Sequence, residues 1–428
     1  MMKKNVCMFV WNHFTNDARV LRECTSLSGR GYNVDLICID DPSDETLKKQ
    51  EKINENFQVF RVRRYPVVLE TLQKLYKNSI KHKSIGAILL LIWLFFLLIF
   101  PYFTGFISIF FLVLLKTKLK VVMTRGSIFL RMILKGSRSH YDIYHANDLN
   151  TLPQGYVCSK LRFKRKKLVY DSHEVQTSRT GYDSNYYRYL EGLLIKRIDT
   201  MIVENHTRAK YNQDLYGFYP HVLHNYPFVL GKVENEKINI NEKLGLFPEE
   251  KILLYQGGIQ AGRGLEKLIE AVPSFNEGTL VLIGDGRIKP QLEKMVEDLE
   301  LQDRVKFLPK VPLSDLPKYT QNAYLGFQVL NNTNFNHYSA SSNKLFEYMM
   351  SDIPVIACSF PEIQKIVEGE GTGVCVDSHD YKSIALGVNY LLDNPSIRKQ
   401  MAVNCSKAKL KYNWRNEQNI LLDIYNES

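Results

Sequence analysis

Residues 85–115, IGAILLLIWLFFLLIFPYFTGFISIFFLVLL, hold no charged side chain over 31 consecutive positions. Soluble cores rarely leave so long a run without a polar interruption, and no other segment constrains the fold as strongly. A straight spanning helix needs about 20 apolar residues, so this run is long for one span and short for two. Pro101 and Gly105 lie near its middle, where a turn belongs. Lys77, Lys81 and Lys83 precede it, and Lys116, Lys118, Lys120 and Arg125 follow it. A single span would set one basic cluster on the wrong side of a membrane. A helical hairpin dipping into one leaflet keeps both clusters beside anionic headgroups. We expect such a hairpin at about 84–116, with the protein on the cytoplasmic face of the cell membrane. A buried helix pair is the soluble alternative.

Charge follows the same geography. Residues 1–200 carry 32 Lys and Arg against 17 Asp and Glu, whereas residues 201–428 carry 24 against 28. Within 61–138 there are 14 basic residues and a single acidic one, Glu70. These charges flank an oily segment and accompany no recognition motif, so a nucleic-acid partner is not expected. An anionic membrane surface is. The seven cysteines are scattered, with no C-x-x-C pair, which argues against a disulfide framework or a cysteine zinc site and fits a reducing compartment. The N-terminal MMKKNVCMFV reads as a first buried strand, not a signal peptide.

Outside the oily run, strands and helices alternate. Strands are expected at 4–10, 34–39, 57–62, 143–145, 168–170 and 200–203, with helices at 18–28 and 151–161. Residues 220–245 are rich in Pro, Gly and polar residues and read as a connection. A second series follows, with strands at 252–255, 280–283, 305–308, 324–329, 355–357 and 373–376 and helices between them. The last segment, 395–426, reads as helical and amphipathic. This order predicts two doubly wound α/β domains, 1–225 and 226–410, with 411–428 as a closing helix. Their strand C-termini would face each other across a cleft.

The loops at those strand ends hold the candidates for chemistry. QGGIQAGRGLEKLIEA gives glycines for close backbone approach, a helix N-terminus and the fixed charge of Arg263. It is neither G-x-G-x-x-G nor a G-x-x-x-x-G-K-[ST] loop. LIGDG reads as a tight strand-to-helix turn. In SASSNKLFEYMMSDIPVIA, Asn343 and Lys344 open a helix and Glu347 follows one turn later; together they suit an anion and a pair of vicinal hydroxyls. In the first half, YHANDLNTL and YDSHEVQ set His145, Asp148, Asp171, His173 and Glu174 at strand ends. No metal-ligand spacing is present among them, and neither a metal nor a cofactor is expected.

Taken together, NDARVLREC, HANDL, YDSHE, GGIQAGRGLEKLIEA, LIGDG and above all NKLFEYMMSDIPVIA resemble the GT-B retaining glycosyltransferases of glycosyltransferase family 4 and its close relatives. The resemblance covers the chain except the oily insertion. It implies two Rossmann-like domains and a C-terminal helix crossing back to the first. It also implies transfer of a sugar, with retention, from a nucleoside diphosphate sugar to an acceptor hydroxyl. By this resemblance Arg263 stands at the second of two basic positions that hold the donor diphosphate. Gly258 stands at the first, normally an arginine. Glu347 matches the ribose-binding second glutamate of an E-x7-E pattern whose first falls at Ser339. His173 matches the active-site histidine, and Asn16 lies in the loop approaching diphosphate and acceptor. The membrane hairpin points to a lipid-linked glycan as acceptor. The alternatives are a sugar-nucleotide epimerase of the same fold and a catalytically silent membrane-anchored partner of a glycan assembly complex.

Overall fold

A computed structural model describes residues 4–15, 17–178, 184–229 and 238–426. One sheet contains β1 (Asn5–Phe9), β2 (Asn33–Ile39), β3 (Gln50–Asn54), β4 (Phe57–Val62), β5 (Ile143–Asn147), β6 (Lys167–Ser172), β7 (Thr200–Val203) and β8 (His221–Val222). Its order is β3-β4-β2-β1-β5-β6-β7-β8. The other contains β9 (Ile252–Gln256), β10 (Thr279–Ile283), β11 (Val305–Leu308), β12 (Ala323–Gln328), β13 (Val355–Cys358) and β14 (Gly373–Val376), ordered β11-β10-β9-β12-β13-β14. Every pairing in the second sheet is parallel. In the first, β3 runs antiparallel to β4. That edge strand, QEKIN, is polar and mostly exposed, so no apolar pattern announced it.

The parallel strands are apolar on both faces because both faces are covered. Along β9, Leu253 and Tyr255 enter one apolar cluster, while Ile252 and Leu254 enter another. The first cluster is closed by the helices Leu265–Ala271 and Tyr381–Asp393, the second by Asn343–Met350 and Pro361–Glu370. The helical segment expected at 395–426 holds two helices, Pro395–Ala408 and Trp414–Asn426. Asn413 divides them, its side-chain oxygen accepting from the Asn416 N–H at 3.3 Å and its amide donating to the Leu410 carbonyl at 2.7 Å.

The chain forms two compact units, Met1–Tyr170 with Arg197–Asp199, and Asp171–Lys196 with Thr200–Ser428. In the first unit, four helices follow β4: Val67–Lys81, Lys83–Ile99, Pro101–Lys116 and Leu119–Ser137. The uncharged run occupies the middle two. The break falls at Phe100, with Pro101 at the first helical position and Gly105 inside the second helix. Trp93 Nε1 donates to Ser108 Oγ at 2.8 Å, and Thr104 Oγ1 donates to the Phe96 carbonyl at 2.9 Å, so the few polar groups satisfy one another. None of the residues of Lys83–Ile99, all of them described, is buried. Among the described residues, no helix is long and apolar enough to cross a membrane. Ile128, Met132 and Gly136 of the last helix are buried, and Gly136 lies against the Phe9 ring, where a Cβ would come within 2.6 Å of Cζ.

Candidate functional site

Counted within its own sheet, the order of β9 to β14 is 3-2-1-4-5-6. The chain leaves β9 toward one edge and returns through β12 to build the other, so β9 and β12 flank a topological switch point. Ligands of doubly wound sheets bind outside the carboxyl ends of the strands at such a point. Three loops of the second unit meet there. The Gly257 N–H donates to the Ile283 carbonyl at 2.9 Å, Ile259 N–H to the Asp285 carbonyl at 2.9 Å, and Asn331 N–H to the Gly262 carbonyl at 3.0 Å. A Cβ on Gly284 would stand 1.9 Å from the Gly257 oxygen, so the LIGDG glycine permits this backbone contact.

Lys344 lies in the first turn of Asn343–Met350, and its aliphatic stem runs over Gly257. That glycine has φ +125°, and a Cβ there would come within 2.4 Å of Lys344 Cε. The ammonium stands 5.3 Å from the centre of the Tyr255 ring. Burial, then the nearby Arg263 charge, push the Lys344 pKa down to about 7, and Glu347 opposes them. These surroundings disfavour the cation, and an anionic ligand would favour it. Glu347, one turn on, accepts from Gln256 Nε2 at 2.8 Å, and Gln256 Oε1 accepts from Thr320 Oγ1 at 2.8 Å. Tyr348 completes the frame by donating to the Leu254 carbonyl at 2.9 Å and accepting from the Gln256 N–H at 3.1 Å.

Arg263 acts electrostatically on Lys344 and on His337; burial and then Arg263 lower the His337 pKa. Gly258 is exposed and its carbonyl accepts from the Tyr255 hydroxyl at 2.9 Å. A Cβ on Gly258 would meet only Gln260 Cγ, at 3.6 Å. The position is open space beside the cationic pair.

His173 follows β6. Its Nε2 is 3.1 Å from Asp171 Oδ2, and the Asp171 carboxylate is fully buried. Its carbonyl accepts from Arg208, a buried residue of the helix His206–Tyr216. The Glu174 carbonyl accepts from Ser172 Oγ at 3.0 Å, and its carboxylate is near enough to His337 to favour the imidazolium. Gly258, Arg263, Lys344 and Glu347 therefore gather at the switch point, and Glu174 reaches a neighbour of that cluster. His145 and Asp148 belong to the first unit. His145 is a core residue of β5 with no exposed surface, its Nε2 3.8 Å from Glu23 Oε2. Asp148 leaves β5 with φ +62°, and its carbonyl accepts from the Thr151 N–H at 3.1 Å. Asn16 lies outside the described residues.

Sequence reasoning passed over Gln256, Asn205, Arg208 and Asn336. A signal existed for the first three. Gln256 ends the apolar strand ILLYQ with an amide, and ENHTR follows β7 as HEVQ follows β6. Asn336 sits in a polar loop, NNTNFNHYS, whose pattern does not single it out.

Residues 236–408 match the family model described as glycosyl transferases group 1. The chain is 29% identical over 199 residues to alpha-D-kanosaminyltransferase of Streptomyces kanamyceticus, covering 45% of this chain and 50% of that protein. It spans about half the length of the curated relatives it matches. Sucrose-phosphate synthase from Thermosynechococcus elongatus superposes with a TM-score of 0.74 at 16% identity, covering 99% of both chains. Anabaena HepE in complex with UDP-glucose does so at 0.69 and 14% identity, covering 99% of this chain and 100% of that one. The fold is that of GT-B glycosyltransferases, as the motifs implied.

Proposed function

We propose that this protein is a retaining glycosyltransferase that takes a nucleoside diphosphate sugar as donor and a lipid-linked glycan as acceptor, at the cytoplasmic face of a membrane. The observation that carries the donor half is the gathering of Arg263, Lys344 and Glu347 around β9 and β12. Two cations suit a diphosphate, and an anchored carboxylate one helical turn away suits the two ribose hydroxyls. HepE, which shares the fold, is described in complex with UDP-glucose.

In the reaction, the bond between the anomeric carbon and the diphosphate breaks while the acceptor oxygen bonds to that carbon on the same face. The electron pair goes to the leaving diphosphate, and its oxygen takes the acceptor's proton. Arg263 and Lys344 stabilise the growing negative charge. His173, its ring held by Asp171, orients the donor sugar and the incoming hydroxyl.

The acceptor half rests on residues 85–115. Leu98 is 84% exposed, Tyr102 92% and Phe106 71%, in helices of 17 and 16 residues. At 1.5 Å per residue these are about 25 Å long, short of the ~30 Å hydrocarbon core. Lysines stand at both ends of the pair. A hairpin lying in one leaflet accounts for all three features.

A thermal-shift panel of nucleoside diphosphates and sugar nucleotides tests the donor. A ligand at 100 times its Kd should add about 2.7 kcal/mol of stability. The anomeric configuration of the product, read by NMR, tests retention. Inversion would overturn the front-face step.

A further inference from the structure

Arg208 touches none of the groups assigned to the donor, yet it is among the most thoroughly bound side chains of the second unit. It is 4% exposed. Its guanidinium donates to the Glu204 carboxylate and to the His173 carbonyl, to Ser339 Oγ at 3.2 Å and to the Asn336 carbonyl at 3.3 Å. Those acceptors come from three places: the turn between β7 and its own helix, the loop after β6, and the segment after β12.

The last two are also joined directly. Asn336 accepts from the Val175 N–H at 2.7 Å and donates to the Val175 carbonyl at 3.0 Å, a reciprocal pair like a rung of a sheet. Asn205 adds bonds to the Ser339 carbonyl at 2.7 Å and to Ser341 Oγ at 3.0 Å. Ser339 is fully buried, and its hydroxyl and carbonyl both accept from these two residues, so it serves the clamp and offers no surface to a ligand. Ser341 lies three residues before Lys344.

We propose that Arg208 is the positioning residue of the transfer step, fixing His173 in register with the segment that leads into Lys344 and Glu347. Asp171 holds the ring of His173, and Arg208 holds its main chain. A planar guanidinium with donors in fixed directions can bind four acceptors at once, whereas an ammonium on a flexible stem cannot hold the same set. The clamp acts on geometry, not on donor affinity. A displacement of the His173 ring by about 1 Å would cost on the order of 100-fold in turnover.

This inference rests on the glycosyltransferase reading, and the experiment separates the two. The full-length protein, Arg208→Gln, Arg208→Lys, His173→Ala and the double variant Arg208→Gln with His173→Ala are compared for melting temperature, nucleoside diphosphate affinity, kcat and KM. If the wild type binds and turns over no sugar nucleotide, the functional reading fails. If it does turn over, Arg208→Gln should lose kcat by about 100-fold with the nucleotide Kd within about twofold. In the His173→Ala background the same substitution should cost almost nothing more, since the residue it positions is gone. A purely structural arginine would lower kcat equally in both backgrounds, and that result overturns the proposal. Unchanged kcat in Arg208→Gln overturns it as well. Should Arg208→Gln fail to fold, Arg208→Lys keeps the buried charge beside Glu204 but cannot keep all four bonds. It should lose kcat in the His173 background and not in the alanine background; equal losses there again sink the idea.

Discussion

Two helices that carry apolar residues have opposite fates in this molecule. Asn343–Met350 buries Leu345, Phe346, Tyr348, Met349 and Met350 under the second sheet and presents Lys344 and Glu347 on its remaining face. Lys83–Ile99 is more apolar, and none of its residues is buried. The hydrophobic effect acts on both alike. What differs is the partner. The first helix has a sheet to cover, and its polar residues are placed by that cover. The second is apolar all round, as a helix immersed in lipid is, and its flanks are basic. On the membrane-face reading proposed above, a membrane surface would supply for the second helix what the sheet supplies for the first.

The largest expected effect breaks this comparison at the second helix. Replacing residues 85–115 with a short polar linker should move the protein from the membrane fraction to the soluble one, with nucleoside diphosphate binding intact. Burying several large apolar side chains at about 1.5–3 kcal/mol each makes high salt alone insufficient to release the intact chain. Trp93, 41% exposed on this helix, is a built-in probe, and its fluorescence should shift to the blue with vesicles containing anionic lipid. Full-length protein that floats free of such vesicles, or tags at the two flanks reporting opposite sides, would end the one-leaflet model.

At the first helix, Glu347→Ala should weaken donor binding through the ribose and Arg263→Ala through the diphosphate. Each loses a hydrogen bond to a charged group, about 1.5–3 kcal/mol. Glu347→Ala also strands the buried Gln256 amide, which now donates to it at 2.8 Å. Titration calorimetry showing wild-type affinity in both variants would remove the site from the switch point.

Most of the fold was legible because it rests on period and punctuation. Buried parallel strands read as short apolar runs, and β7, β11 and β14 fall where the sequence put them. The edge strand β3 did not, since an edge is chosen by what it pairs with and QEKIN carries no apolar face. Likewise Gly105 looked like a hinge but lies within a helix, because Pro101 alone suffices to start a new one. At the site, Arg263, Lys344 and Glu347 declared themselves by residue type at strand ends. Asn336 did not, because its bonds to Val175 join segments 161 residues apart, and spacing within one segment holds no trace of that.

The next effect sharpens the role of Lys344. Burial and the Arg263 charge push its pKa down to about 7. A bound diphosphate favours the charged form and raises that pKa, so binding takes up a proton. Affinity for a nucleotide sugar should therefore be flat below about pH 6.5 and fall as pH rises, approaching tenfold per unit above the free-site pKa. A sugar nucleotide is the proper probe because its diphosphate has no proton to lose in this range. Lys344→Arg, which stays charged, should abolish the slope. Calorimetry in buffers of different ionisation enthalpy should detect the uptake at pH 7.5, and its absence would mean that Lys344 does not meet the diphosphate.

The smallest effect concerns what the site lacks. Gly258 occupies the place where related enzymes are expected to carry a second arginine, and a side chain there would meet only Gln260 Cγ at 3.6 Å. Gly258→Arg should therefore be accommodated without strain. Its guanidinium would add a contact to the diphosphate but would also sit in water beside two other cations, so the gain should be modest. We expect donor binding to tighten by three- to fivefold, about 1 kcal/mol or less, more at low salt than at high salt. The added charge should also depress the Lys344 pKa further, moving the fall in affinity to lower pH. The variant thus reports on both residues at once. Tighter binding with an unmoved pH midpoint would mean that position 258 meets the donor away from Lys344. Weaker binding would mean that the open space beside Gly258 is filled by the donor itself.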